Sequence, residues 1–175
     1  MSTATGMPVF DAREDFARAR RAAHVARLAR WLGGRRRPLV PPTLDDGDWL
    51  PGGAPQARVI PLAEIVGTLE PTICFDADFR PASDLVRARW ERIALAHRRG
   101  VALPPIDVLE RPDGYYVADG RHRVSVARAL GHRDLEARVT VAWDARARRT
   151  SPGGVAHGPH TRPEAARRAD SRPAA

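Results

Sequence analysis

Residues 104–131 read PPIDVLERPDGYYVADGRHRVSVARALG, and the fold turns on this stretch. Pro112-Asp113-Gly114 stands between two β-rich runs, PPIDVLE and YYVADG, which predicts a hairpin. Asp119-Gly120 then makes a tight turn, and RHRVSVARAL reads as a helix stopped by Gly131. The first N–H groups of such a helix have no partner within it, and its dipole is positive at that end, so both favour an anion. Gly120 lets the backbone come close to a ligand. Arg121 and Arg123 add fixed charge in the forked geometry that suits phosphate oxygens, and His122 can donate to the same group. Three basic residues at a helix N-terminus repel one another unless an anion joins them. The other reading is a solvated strand-to-helix turn with its arginines in water. Val126, Ala127 and Leu130 form the inward face of this helix, so Arg123 is expected to point under the helix start, with Asp119 holding it. Arg128 lies beyond the first turn and is expected to matter little to binding.

Outward from this stretch, ARVIPLAEIV (57–66) reads as a strand entering a short turn or helix, and PTICF (71–75) as a short buried strand. Pro81 and Ser83 open a helix through DLVRARWERIALAHRR, ended by Gly100, with Val86, Trp90, Ile93 and His97 as its buried face. A last strand lies within LEARVTVAW (135–143). The expectation for 57–143 is an α/β domain of the α+β kind, a small mixed sheet with packed helices. Upstream, Asp11 and Glu14 read as a capping box for a basic amphipathic helix over 11–32, within an N-terminal unit 1–37. Val25, Leu28 and Leu32, with Phe16 and alanines, form its apolar stripe. Residues 38–56 read as a Pro/Gly/Asp-rich linker, and 144–175 as a disordered basic tail.

The chain has 175 residues, enough for one domain with appendages, and its 43% hydrophobic content supports a packed core. A single cysteine, Cys74, excludes a disulfide framework and a Cys-based structural zinc site. No apolar run is long enough to span a membrane, and no secretion signal opens the chain, so a soluble cytoplasmic protein is expected. All 29 basic residues are Arg. Residues 11–37 hold nine Arg against three acids, residues 144–175 seven against three, and everything else 13 against 15. The basic excess sits at the two ends, where it suits sequence-independent contact with DNA phosphates.

The 104–131 pattern resembles the N-terminal domain of ParB chromosome-partitioning proteins, in the ParB/sulfiredoxin superfamily. There a hairpin leads into a Gly-x-basic-Arg turn at a helix N-terminus, and Asp119-Gly120-Arg121-His122-Arg123 is most similar to the form carried by a related ADP-dependent serine kinase group. The resemblance implies a small α/β fold that binds a nucleoside di- or triphosphate (CTP, ATP or ADP), with or without Mg²⁺, through Asp119, Gly120, Arg121, His122 and Arg123. The same pattern shows departures. Arg121 stands where sulfiredoxins carry their nucleophilic cysteine, so sulfinic acid repair is not expected. It also replaces the acidic residue of the ParB turn, which bears on nucleotide hydrolysis. The chain after Trp143 is short, so operator recognition through a helix-turn-helix is not expected.

Glu64 and Glu70 fall where the kinase group carries a catalytic carboxylate. Either is a base or magnesium ligand if it faces the pocket, and a surface glutamate otherwise. No protein metal site is expected; His157 and His160 lack metal-site spacing. Cys74 reads as a small buried hydrophobe, His97 as a core or rim histidine, and Trp31 and Trp49 as packing residues rather than base-stacking ones. The basic helix either binds nucleic acid or packs its stripe on the domain or on a second copy, giving a homodimer. The leading expectation is a DNA-associated, nucleotide-binding partition or regulatory module. The alternative is a small-molecule kinase or NTPase using the same turn.

Overall fold

The computed structural model describes residues 6–32, 40–44 and 49–144, with backbone alone at 49–51 and 144. Helix α1 spans Pro8–Leu32, followed by β1 (Trp49–Pro61), a 3₁₀ turn (Leu62–Glu64) and β2 (Ile65–Thr68). A second 3₁₀ turn (Asp84–Val86) leads into α2 (Arg87–Arg98), then come β3 (Ile106–Arg111), β4 (Gly114–Asp119), α3 (Arg121–Ala129) and β5 (Asp134–Asp144). The five strands form one mixed sheet in the order β1-β5-β3-β4-β2. β1 runs antiparallel to β5, β5 parallel to β3, β3 antiparallel to β4, and β4 parallel to β2. This is a mixed α+β fold.

Pro112 and Asp113 make the two-residue connection of the β3–β4 hairpin. One sheet face carries Ile60, Ile106, Val108, Val117 and Val139, packed against Phe79 and against Val124 and Ala127 of α3. The opposite face is smaller, with Leu109, Tyr116 and Ala142 under Leu44. Above α3, Trp90 of α2 and Phe16 of α1 meet edge to face at 5.5 Å, in a cluster with Ala12, Ala19, Phe75 and Ala94. The Trp90 indole N–H is buried but satisfied, donating to Ser125 Oγ on α3 at 2.9 Å.

Several expectations need correction. α1 starts at Pro8, a residue suited to the first helical position, so Asp11 is not its N-cap. Asp11 and Asp15 are instead buried and face Arg98 of α2, at 3.6 Å and 2.6 Å. The expected apolar stripe is not the buried face: Val25, Leu28 and Leu32 are 66%, 56% and 71% exposed. Ala12, Phe16, Ala19 and Ala23 are buried in its place, because small side chains let α1 approach α2 closely. β1 begins at Trp49, within the stretch read as linker, and Thr43 bridges to Thr68.

PTICF forms no strand. Phe75 is buried and makes an isolated bridge with Pro81, while Ile73 is exposed. Side chains take the backbone donors a sheet would need: Thr72 Oγ1 accepts from Cys74 N, and Asp76 Oδ1 from Asp78 N and Arg80 N. On α2 the buried residues are Val86 at its lead-in, Trp90 and Ala94, whereas His97 is exposed at the rim. The tail from 145 onward, with His157 and His160, lies outside the described residues.

Candidate phosphate-binding turn

β4 delivers the chain to Gly120, whose φ of 107° lies in the left-handed region. A Cβ there would stand 2.4 Å from Ile106 Cγ2, so both the conformation and the packing call for glycine. No side chain caps α3, and its first internal bond is Val124 N to Gly120 O at 3.0 Å. The N–H groups of the first turn therefore face outward with the positive end of the helix dipole.

The three basic side chains of the turn diverge. Arg121 reaches toward β2, donating through Nη1 to Glu70 O at 3.3 Å and through Nη2 to Glu70 Oε2 at 3.1 Å. Thr68, fully buried, holds Glu70 there by sharing its one hydroxyl proton between Glu70 O and Val117 O, each at 3.1 Å. His122 lies edge to face on Phe75 at 5.2 Å. Burial, followed by the charges of Arg89 and Arg121, lowers its pKa to about 4, so the ring is neutral near pH 7. Arg123 runs under the helix start with its side chain 11% exposed. Its guanidinium donates to Pro104 O, Pro105 O and Asp119. It ties the loop before β3 to the turn.

Glu64 does not join this group. It ends the 3₁₀ turn before β2, and its carbonyl abuts Gly114 at the hairpin. Glu70 follows the far end of β2, so roughly 20 Å of extended chain separates the two glutamates. Burial raises the Tyr115 pKa, and the carboxylates of Glu110 and then Glu64 add to that shift. Cys74 is half-buried against the α1–α2 cluster.

The loop after α2 and the outer side of α3 enclose a pocket of about 320 Å³. Arg123 lines it together with the 100–104 segment, Val126, Ala127 and His132. His97 and His132 meet edge to face at 4.4 Å on its wall. Burial and then the His132 charge lower the His97 pKa. Periodicity along α2 hides this pair, since each histidine sits beside the glycine that stops its helix, Gly100 or Gly131. Two such helix ends meeting is a tertiary fact.

Among the described residues no group of three or more His, Cys, Asp or Glu could hold a metal ion. No described helix is long and apolar enough to cross a membrane.

No protein-family model matches this chain, and no curated protein matches it. Among solved structures it is similar to sulfiredoxin from Arabidopsis thaliana, at 24% identity and a TM-score of 0.38, over 49% of this chain and 84% of that one.

Proposed function

We propose that the β4–α3 turn binds the phosphates of a nucleotide and that the adjoining pocket receives its nucleoside, making this a ParB-like nucleotide-binding module. The observation that carries this reading is the double position of Arg123, which belongs both to the uncapped turn and to the wall of a 320 Å³ pocket. That volume is at the low end for ligand sites and fits a nucleoside rather than a larger group. The first-turn N–H groups and Arg121 would hold phosphate oxygens, while Asp119 and Glu70 release their arginines to the ligand. Magnesium would arrive with the nucleotide, because the described residues offer no cluster of ligands to hold it beforehand.

Titration with CTP, ATP and ADP tests the reading. One of them should saturate the protein, and Arg123→Ala should weaken it by about 1.5–3 kcal/mol, roughly 10- to 150-fold. Arg121→Ala should weaken it with little change in melting temperature, because that side chain holds only an exposed glutamate. Binding that is absent for all three nucleotides, or indifferent to both substitutions, removes the proposal.

One observation favours a second reading, a kinase or NTPase: Glu70 lies beside Arg121 and would be freed as a base when phosphate takes its place. Glu70→Gln would then abolish phosphate release or transfer while leaving nucleotide affinity within a few-fold. DNA association is proposed through exposed arginines of α1. Arg13→Gln with Arg21→Gln should lower affinity for random duplex DNA and flatten its salt dependence. Removing α1 outright is not a fair test, since it supplies Phe16 to the core.

A further inference from the structure

The second half of α1 and the 73–82 segment enclose a separate pocket of about 200 Å³. Its floor is apolar, with Ala23 and Phe75 nearly inaccessible, and Val40 and Ile73 stand at its rim. An apolar cavity of about 150 Å³ is enough for one benzene ring. Arg20, His24 and Arg27 follow at i, i+4 and i+7, so one face of α1 turns all three toward the pocket.

Charge balance selects the ligand. Arg20 donates to Ala82 O at 2.6 Å and lies 3.6 Å from Asp84. Its Nε–H is buried with no acceptor among the described residues. Arg30 and Arg80 share Asp76 and Asp78. Arg27 lines the pocket and has no ion pair among the described residues, so one positive charge is uncompensated within them. A single negative charge neutralises it, whereas a phosphate dianion would leave an excess against apolar walls.

We infer that this pocket binds a small aromatic or branched-chain monocarboxylate, its apolar body against Ala23, Phe75 and Ile73 and its carboxylate held by Arg27 in the field of Arg20. The site is independent of the phosphate reading, although the two meet at Phe75, which carries His122 on its ring.

The probe is benzoate, with benzyl alcohol as its neutral counterpart and inorganic phosphate as an anion without an apolar body. Benzoate should saturate the intact protein at millimolar concentration or below and shift the His122 ring resonances through Phe75. Arg27→Ala should weaken it about tenfold, the loss of one charge-assisted hydrogen bond. Arg27 is exposed, so this substitution leaves the fold intact. Ile73→Asp, at a site 82% exposed, should abolish binding by placing a like charge at the rim. Arg121→Ala should change nothing here and so separates this site from the turn. Equal binding of benzyl alcohol or phosphate, indifference to Arg27→Ala, or loss in Arg121→Ala with Arg27→Ala unaffected would each overturn the inference. So would failure of benzoate to saturate.

Discussion

Along α1, the half from Pro8 to Ala19 buries Asp11, Asp15 and Phe16 against α2, while the half from Arg20 to Leu32 leaves Val25, Leu28 and Leu32 in water. Apolar content would assign them the other way round. The first half wins because alanines at 12 and 19 let the backbones come close, and because Arg98 pairs with both carboxylates while Arg18 adds a second cation at Asp15. Shape and charge pairing set the interface, and greasiness was secondary. The second half buries only Ala23 by comparison, engages Arg20 with Ala82 and Asp84 and Arg30 with Asp76 and Asp78, and leaves Arg21 and Arg27 exposed.

Breaking the ion pair should have the largest effect. Arg98→Met removes the α2 cation that both buried carboxylates face, Asp15 being 2% exposed and keeping Arg18, and should cost about 3 kcal/mol. For a chain of this length that lowers the melting temperature by roughly 10 °C. An unchanged melt would show that α1 is not held by charge.

Arg128 tests the same contrast on α3. It donates to Asp78 O, Leu62 O and Ile65 O and lies over the Phe79 ring at 5.1 Å. It was expected to be dispensable for binding, yet it joins three segments of chain. Arg128→Ala should cost about 2–4 kcal/mol in chemical denaturation, from the loss of the hydrogen bonds to Asp78 O, Leu62 O and Ile65 O. Nucleotide affinity of the folded variant should hold; a loss equal to that of Arg123→Ala would indicate diffuse electrostatics instead of a defined turn.

A smaller effect is expected from pH. The His122 pKa falls from 6.5 unfolded to about 4 folded, chiefly through burial. The unfolded chain thus binds more protons between those values, so stability is full above about pH 6.5 and declines as pH falls toward 4. A bound phosphate would favour the protonated ring, so affinity should move oppositely, tightening as pH drops through the same window. In His122→Asn both slopes should flatten, and a melting temperature with the same acid slope would assign the effect elsewhere.

The smallest effect belongs to the exposed stripe. Leu28→Ser should alter stability by no more than about 0.5 kcal/mol in the monomer. A larger loss would mean that this face is covered in solution, as a homodimer would require.

Local signals were strong where neighbouring residues decide the structure. Pro112-Asp113-Gly114 specified a hairpin, Asp119-Gly120 a tight turn, and the basic run after it a helix start with free N–H groups. These are properties of a few consecutive backbone units, so the sequence alone determined them. It also determined that charge gathers at the ends and that one cysteine allows no framework. The tertiary structure alone decided which faces are buried, that Glu70 and not Glu64 reaches the turn, and that Arg128 is a staple. It alone brought His97 to His132 and α1 over Phe75 to form pockets. Each of those outcomes depends on partners distant in sequence, through packing of specific shapes and pairing of buried charges, and periodicity along one segment carries no information about either.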